Sequence, residues 1–228
     1  MIIISGSTSH GPRIVTNGLV LYLDAANSRS YDGSSLWFDL SAFENHARLL
    51  NNPTFETTSG GCLSFNGSNT YGIIDSNPSL TTLTPTLVIA CTTNSGTVLA
   101  KGGYNSYWNY GLTGISSTDF KARNNIGDTT SPTFTASTNL FNIYTMAWNG
   151  SAVEFYRNGI FGGSSSSNYS PIANNSLYLN IGCAWSTITG TNVEFFSGKI
   201  SFIQIYNRVL SSTEVLQNYN ALKARYGL

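Results

Sequence analysis

The segment from Phe195 to Glu214, FFSGKISFIQIYNRVLSSTE, constrains the fold of this chain more than any other. Its middle part, Lys199 to Tyr206, is rich in β-branched and aromatic residues, which favour a strand. Alternation along that strand predicts one face of Ile200, Phe202 and Tyr206 and an opposite face of Ile203 and Ile205. Since both faces carry apolar groups, we expect the strand to be covered on both sides.

A helix start follows the predicted strand. Ser211 and Glu214 have the spacing of a capping box, in which each side chain bonds to the other residue's backbone N–H. Leu210 and Val215 occupy the positions of a hydrophobic staple. Apolar residues then recur at helical spacing, at Val215, Tyr219, Leu222 and Tyr226. The pattern predicts the one long helix of the protein, packed through this face.

The composition favours a single all-β domain. The chain has 228 residues, with 22 Gly, 13 Tyr and 12 Phe, as many short strands joined by tight turns require. Charged residues make up 10% and the formal net charge is zero, so nucleic acid is not an expected partner. MIII is too short for a signal peptide, and no window resembles a membrane span. We predict an N-terminal arm or linker over residues 1–17 and one domain over 18–228.

The clearest β-pattern lies between Ile143 and Phe161. Three apolar segments are joined by Asn149-Gly150 and Asn158-Gly159, which tolerate the positive φ angles of two-residue hairpin turns. We expect a three-stranded antiparallel meander, followed by a flexible loop over residues 162–168. The other predicted strands are Leu19–Leu23, Cys62–Phe65, Tyr71–Asp75, Leu83–Cys91 and Leu177–Ile181.

The three cysteines, Cys62, Cys91 and Cys183, each lie within apolar, strand-like sequence. An odd number without close spacing argues against a disulfide framework and against a zinc site. We therefore predict buried free thiols.

Several motifs, in this order, resemble the concanavalin A-like lectin/glucanase superfamily, and its laminin-G-like branch most closely. They are GLVLYLDAANSRSY, WFDLS, NNPTF, LSFNGSNTYGII, AWNGSAVEFYRNG, LNIG and FSGKISFIQIYNRVLSSTEV. The resemblance extends from Gly18 to the end of the chain. It implies a two-sheet antiparallel jelly-roll sandwich, with one C-terminal helix and with the strand near Leu19 beside the C-terminal strand.

The two ends of the domain resemble versions of it found in virion proteins of tailed bacteriophages. This implies a non-enzymatic structural protein of the particle, as a capsid decoration or as a tail or fibre appendage. Its partners would be other virion proteins and copies of itself, after synthesis in the host cytoplasm. Because a fold does not determine a function, this remains an analogy at the level of the family.

The chain departs from its relatives at two places. Many relatives carry an acidic pair, which can serve calcium, where this chain has Ser68 and Asn69. Asn69 is thus a weak calcium candidate; we predict no other metal site and no cofactor, because calcium favours carboxylate ligands. Relatives also tend to carry Asp-Glu after the Gly-Lys-Ile motif, where Ser201 and Phe202 stand here.

Catalytic residues are not evident. Hydrolases of this superfamily use a Glu-x-Asp-x-Glu strand, but no two acidic residues here lie two positions apart, and Asp39 and Glu44 are the nearest pair. A Ser-His-Asp triad would depend on His46, since His10 lies in the arm, and no Gly-x-Ser-x-Gly elbow supports it. We predict a non-enzyme; a glycan hydrolase is the least favoured alternative.

Aromatic residues in two Gly/Asn-rich stretches are candidate ligand-binding residues: Tyr104, Tyr107, Trp108 and Trp185. Aromatic faces beside amide groups can stack on sugar rings or anchor a protein interface. This supports an alternative function, a glycan-binding adhesin that recognises host-surface polysaccharide. The competing interpretation is that some of these rings belong to the core, as we predict for Trp37 and Trp148.

Overall fold

The computed structural model describes residues 12–82, 84–92, 95–104, 109–114, 120–124, 127–130, 140–166 and 178–228; for Tyr104, Asn124 and residues 127–130 it describes the backbone alone. The strands in these ranges are β1 (Leu19–Asp24), β2 (Leu36–Trp37), β3 (Ala47–Leu50), β4 (Thr54–Glu56), β5 (Cys62–Asn66), β6 (Tyr71–Ile74), β7 (Thr86–Thr92), β8 (Thr97–Lys101), β9 (Gly103–Tyr104), β10 (Tyr110–Thr113), β11 (Lys121–Asn124), β12 (Gly127–Thr130), β13 (Phe141–Trp148), β14 (Ala152–Arg157), β15 (Ile160–Ser166), β16 (Leu179–Ile181), β17 (Ala184–Ser186), β18 (Thr191–Val193) and β19 (Ser197–Tyr206). Helix α1 (Ser212–Leu222) continues into a 3-10 turn (Lys223–Tyr226), and shorter 3-10 turns lie at Thr58–Gly60 and Pro78–Leu80.

Two antiparallel sheets form a sandwich. The first has the order β15-β14-β13-β7-β19-β5-β4, with β1 also paired to β19, and the second has the order β12-β11-β10-β8-β16-β6-β3-β2. Buried apolar side chains from both sheets form one large cluster, as stacked sheets require. The predicted jelly-roll sandwich with a C-terminal helix is confirmed.

Strand β19 joins the beginning and the end of the chain. One of its edges pairs with β7. Along its other edge, Ser197 to Ile200 pair with β5, and Phe202 to Tyr206 pair with β1. The predicted contact between the strand at Leu19 and the C-terminal strand is therefore confirmed.

The predicted faces of β19 are wrong at one residue. Ile200 belongs to the cluster between the sheets together with Ile203 and Ile205, whereas Phe202 and Tyr206 belong to the cluster beneath α1. The register against β7 shifts between Ile200 and Phe202. An extra residue at such a bulge breaks the two-residue period, so alternation assigned Ile200 to the wrong face.

Helix α1 begins as predicted. Ser211 Oγ accepts a hydrogen bond from the Glu214 backbone N–H at 3.3 Å, and the Ser211 N–H donates to Glu214 Oε2 at 2.9 Å. Val215 and Leu222 are buried against the first sheet, and Leu210 is buried beside them. None of the helices in the described ranges is long and apolar enough to cross a membrane.

The last residues of the predicted arm lie against α1. The Val15 N–H donates to Asn218 Oδ1 at 2.8 Å, and the Tyr206 hydroxyl donates to the Val15 carbonyl at 2.8 Å. Val15 is buried. Packing thus begins ahead of Gly18; residues 1–11 lie outside the described ranges, and the domain boundary stays a prediction.

The meander of β13, β14 and β15 matches the prediction from the two Asn-Gly turns. The expected flexible loop after it is wrong for residues 162–166, which belong to β15; residues 163–166 pair with Ala152 to Phe155. The hydrogen-bonding edge of β14 stabilises an extended conformation that the Gly/Ser composition does not favour by itself.

The buried cysteines and tryptophans also match prediction. All three cysteines are buried and free, and Trp37 and Trp148 have no exposed surface. Burial raises the pKa of the Cys62 thiol to about 11 and that of Cys183 to about 12, because the thiolate loses hydration.

Candidate functional site

A groove of about 640 Å³ opens on the outer face of the second sheet, where β8 and β11 begin and β10 ends. We call it the β11 groove. Its lining residues are Gly67, Ser95, Gly96, Thr113, Gly114, Lys121, Arg123, Glu194 and Phe195. They come from five short segments of the chain.

Alternation along β11 directs two basic side chains to this face. Ala122 is buried in the cluster between the sheets, so its neighbours Lys121 and Arg123 project outward. Arg123 lies opposite Gly111 of β10, which has no side chain to cover it. Arg123 is nevertheless 6% exposed, because other groups enclose its guanidinium.

Glu194 is a polar partner of Arg123. Arg123 Nη1 forms an ion pair with Glu194 Oε2, and Thr97 Oγ1 donates to the same oxygen at 2.7 Å. The Thr97 and Thr113 hydroxyl oxygens lie 3.0 Å apart. The Thr97 N–H also donates to the Glu194 carbonyl at 2.9 Å. These bonds hold charged and hydroxyl groups in a defined arrangement along one wall.

The other wall is formed by backbone and one aromatic ring. Gly96 has φ +100°, and a Cβ there would lie 2.3 Å from the Phe195 carbonyl oxygen, so glycine is required for this close approach. The Phe195 ring is half-buried, and its centroid lies 6.3 Å from that of Tyr71. The groove therefore combines an apolar ring with hydrogen-bonding groups, which suits a small polar ring such as a sugar.

Two of the sequence-based candidates, Trp185 and Tyr104, lie on neighbouring strands of a small sheet. Trp185 is half-buried in β17. Strand β17 pairs with β18 in antiparallel register, with Trp185 opposite Asn192. It also pairs with β9 in parallel register, with Trp185 opposite Gly103 and Ser186 opposite Tyr104. The structure thus brings the strands of Tyr104 and Trp185 together. Tyr107 and Trp108 lie outside the described ranges, and the side chain of Tyr104 is not described.

The small sheet of β9, β17 and β18 packs onto the second sheet. Ala184 and Val193 contact Ala100 of β8. Strand β18 ends at Val193 and leads directly to Glu194 and Phe195. Strand β18, which pairs with the strand of Trp185, therefore leads directly into the β11 groove.

Sequence reasoning did not identify the groove residues. The alternating Lys121-Ala122-Arg123 pattern, unusual in a chain with few charges, was the available signal. Glu194 precedes the predicted strand and carries no pattern of its own. Its pairing with Arg123, 71 residues away, depends on the fold.

Asn69, the calcium candidate, is engaged within its own loop. Its Oδ1 accepts a hydrogen bond from Asn66 Nδ2 at 2.7 Å, and its carbonyl accepts one from Asn51 Nδ2 at 2.7 Å. In the part of the chain that the structure describes, no three His, Cys, Asp or Glu residues are grouped as metal ligands would be. Calcium binding stays a prediction.

Asp39 and His46, considered for catalysis, stabilise a loop. The Asp39 carboxylate accepts hydrogen bonds from the N–H groups of Tyr22 at 2.7 Å and of Asn45 at 2.9 Å. The Asp39 N–H donates to His46 Nδ1 at 3.1 Å. These hydrogen bonds indicate that both residues stabilise the conformation of this loop.

Three comparisons place this architecture among known structures. Domain 4 of AbnA, a GH43 extracellular arabinanase from Geobacillus stearothermophilus, solved in complex with arabinotriose, is 13% identical, with a TM-score of 0.69; the match covers 90% of this chain and 100% of that one. The Botulinum neurotoxin serotype D binding domain is 13% identical, with a TM-score of 0.67 and coverages of 90% and 51%.

Trypanosoma rangeli sialidase, solved with the inhibitor DANA, is 17% identical, with a TM-score of 0.65. The match covers 91% of this chain and 33% of the sialidase, so this chain spans a third to a half of the sialidase and toxin structures. At these identities the likeness shows the fold alone. No curated protein gives a significant sequence match.

A family model described as the concanavalin A-like lectin/glucanases superfamily matches residues 67–216. That range includes all of the groove-lining residues and most of both sheets. This chain belongs to the concanavalin A-like lectin/glucanases superfamily.

Proposed function

We propose that this protein binds a glycan in the β11 groove. The observation that carries the proposal is the combination of the half-buried Phe195 ring with the fixed network of Arg123, Glu194 and Thr97. A sugar ring presents apolar C–H faces and hydroxyl edges, so it can pack on the ring while its hydroxyls bond to the charged side chains.

Three structural neighbours support a sugar ligand. Domain 4 of AbnA was solved with arabinotriose, the sialidase with sialic acid, and a neurotoxin binding domain with SialylT. These ligands belong to those proteins. The support is strongest from domain 4 of AbnA, because the match covers 100% of that chain, whereas it covers 33% of the sialidase and 52% of the neurotoxin binding domain.

We propose further that the domain is not an enzyme. A glycosidase needs two carboxyl groups roughly 5–10 Å apart. Among the described residues that line the groove, Glu194 carries the one carboxylate, and an ion pair engages it. Elsewhere in the described ranges, carboxylates in ion pairs include Asp24, Glu56, Asp75 and Glu214. Such pairing favours a structural role for these acids.

A glycan array followed by calorimetry with the best-bound glycan tests the proposal. We expect Phe195→Ala to lower the affinity about tenfold, the order of one stacking contact. Phe161→Ala is the matched control, because Phe161 is 54% exposed on β15, outside the groove. Absence of binding to every glycan, with or without calcium, would contradict the proposal, as would equal losses in the two variants.

The biological setting that we propose is a tailed-bacteriophage particle, in which the domain is a capsid decoration or a tail or fibre appendage. The support is the sequence resemblance of both ends of the domain to virion proteins. A particle-borne glycan-binding domain would act as an adhesin for host-surface polysaccharide, with Tyr104, Tyr107, Trp108 and Trp185 as further candidate contacts. Mass spectrometry of purified particles tests this; absence of the chain from virions would contradict it.

A further inference from the structure

Lys121 differs from Arg123 in its electrostatic surroundings. Arg123 pairs with Glu194, and Asp128 lies opposite it in the register of β12. The residues opposite Lys121 are Thr113 on β10 and Thr130 on β12, which are both neutral. Among the described lining residues, the one acid, Glu194, is therefore paired with Arg123, and no acid lies opposite Lys121 in the strand register.

The position of the Lys121 side chain is constrained. Gly114 has φ +58°, and a Cβ on it would lie 3.3 Å from Lys121 Cδ and 3.6 Å from Lys121 Cε. The aliphatic part of Lys121 thus lies along the backbone at Gly114, within the groove lining. Because this packing restricts a long side chain before a ligand arrives, less conformational entropy is lost on binding.

From this geometry we infer that the glycan bound in the β11 groove carries a carboxylate, and that Lys121 binds it. The inference rests on the proposed glycan binding and specifies its chemical class as acidic saccharides. An ammonium–carboxylate contact is a charge-assisted hydrogen bond, which is shorter and stronger than a neutral one. The Arg123–Glu194 pair and the hydroxyl of Thr113 would then contact the hydroxyl groups of the same sugar.

The charge distribution favours a single acidic substituent over a polyanion. The formal net charge of the chain is zero, and Glu194 lies in the groove beside the cations. A nucleic-acid strand carries a phosphate at every nucleotide and requires an extended basic surface. An acidic sugar places one charge at Lys121 and neutral hydroxyls near Glu194.

The test uses the intact chain on an array of paired neutral and carboxylated glycans, for example lactose with sialyllactose and galactan with oligogalacturonate. We expect binding to be confined to carboxylated members. Lys121→Met should weaken that binding about tenfold, as removal of a charge-assisted hydrogen bond does. Lys121→Arg should keep most of it, and Lys223→Met, on the C-terminal 3-10 turn, should leave it unchanged.

The outcomes separate this inference from the broader proposal. Binding of neutral and carboxylated partners with equal affinity, or an unchanged Lys121→Met variant, would overturn the acidic-sugar inference and leave glycan binding intact. Stronger binding of sulfated glycans or of single-stranded DNA than of carboxylated glycans would overturn it too. If no glycan binds, both proposals fail. Circular dichroism of each variant shows whether a loss of binding reflects unfolding.

Discussion

Arg225, near the C-terminus, donates two hydrogen bonds of 2.7 Å to the carboxylate of Asp24 at the end of the first strand. Asp24 is fully buried, and it also accepts hydrogen bonds from the Tyr22 hydroxyl at 2.8 Å and from the Ala26 N–H at 3.1 Å. The bidentate pair therefore connects the C-terminal 3-10 turn to β1. It adds to the contact between the two ends of the domain that the pairing of β1 with β19 provides.

Removing Arg225 should destabilise the fold, because Asp24 would remain buried without its cation. We expect Arg225→Met to lower the free energy of unfolding by about 2–4 kcal/mol. The double variant Asp24→Asn/Arg225→Met should recover part of this loss. Chemical denaturation measures both, with exposed Arg29→Met as the control. A loss no larger than that of the control would contradict the role assigned to the pair.

The carboxylate of Glu214, in the capping box of α1, should make the stability of the fold depend on pH. Hydrogen bonds from Arg208 lower the pKa of Glu214 to about 2, from an ordinary value of 4.5. A carboxylate with a lowered pKa stabilises the fold fully above its unfolded pKa, and this contribution is lost as the pH falls through the folded value.

We therefore expect Glu214→Gln to be less stable than the wild type by about 1 kcal/mol at pH 7. The difference should shrink as the pH falls from about 4.5 to about 2. Denaturation curves at several pH values measure it, with exposed Glu44→Gln as the control. A difference that does not depend on pH would show that the charge of Glu214 is not responsible.

Lys101 should produce a trend of the same sign, stability that rises with pH, but at alkaline pH. It is fully buried in β8, and burial lowers its pKa from 10.5 to about 8. Between these values the unfolded chain binds more protons, so the contribution of Lys101 to stability rises with pH.

Relative to Lys101→Met, the wild type should gain roughly 2 kcal/mol of stability between pH 7 and pH 10. The comparison with the variant removes the contributions of the cysteines and tyrosines, which are common to both proteins. Thermal or chemical denaturation across this range measures the gain. The same comparison with Lys223→Met should show no gain with pH. If the wild type and Lys101→Met also differ by the same amount at every pH, the Lys101 ammonium is not destabilised by burial.

The three thiols should be unreactive in the folded protein. All are buried, and burial raises the pKa of Cys62 and Cys183 to about 11 and about 12. Since the thiolate is the nucleophile, Ellman's reagent should label none of them quickly at pH 8. All three should react after denaturation in guanidinium chloride. Rapid labelling of one thiol in the native state would show an accessible cysteine that the structure does not contain.

Local features of the fold were predictable because they depend on neighbouring residues. Ser211 and Glu214 are three positions apart, and the Asn149-Gly150 and Asn158-Gly159 turns each join adjacent strands. Two other predictions, one from strict strand alternation and one from Gly/Ser composition, were less successful. Because of the bulge before Phe202, Ile200 lies on the face of β19 opposite to the predicted one. A Gly/Ser-rich segment predicted as a loop forms part of β15, because it pairs with β14.

The candidate site was less predictable than the fold. Aromatic residues in polar stretches indicated Trp185 and Tyr104, and the structure brings their strands together. The β11 groove, in contrast, combines Lys121 and Arg123 with Glu194 and Phe195, which are far apart in the chain. A sequence pattern does not show which distant residues share a surface.

By itself the sequence determined the all-β class of the fold, the start of the helix, the hairpin turns and the burial of the cysteines. These follow from hydrophobic periodicity and from hydrogen bonds that span a few residues. Only the tertiary structure decided that Glu194 pairs with Arg123 and that threonines lie opposite Lys121 in the strand register. The physical reason is that strand order and register, which depend on packing between distant segments, determine which charges meet.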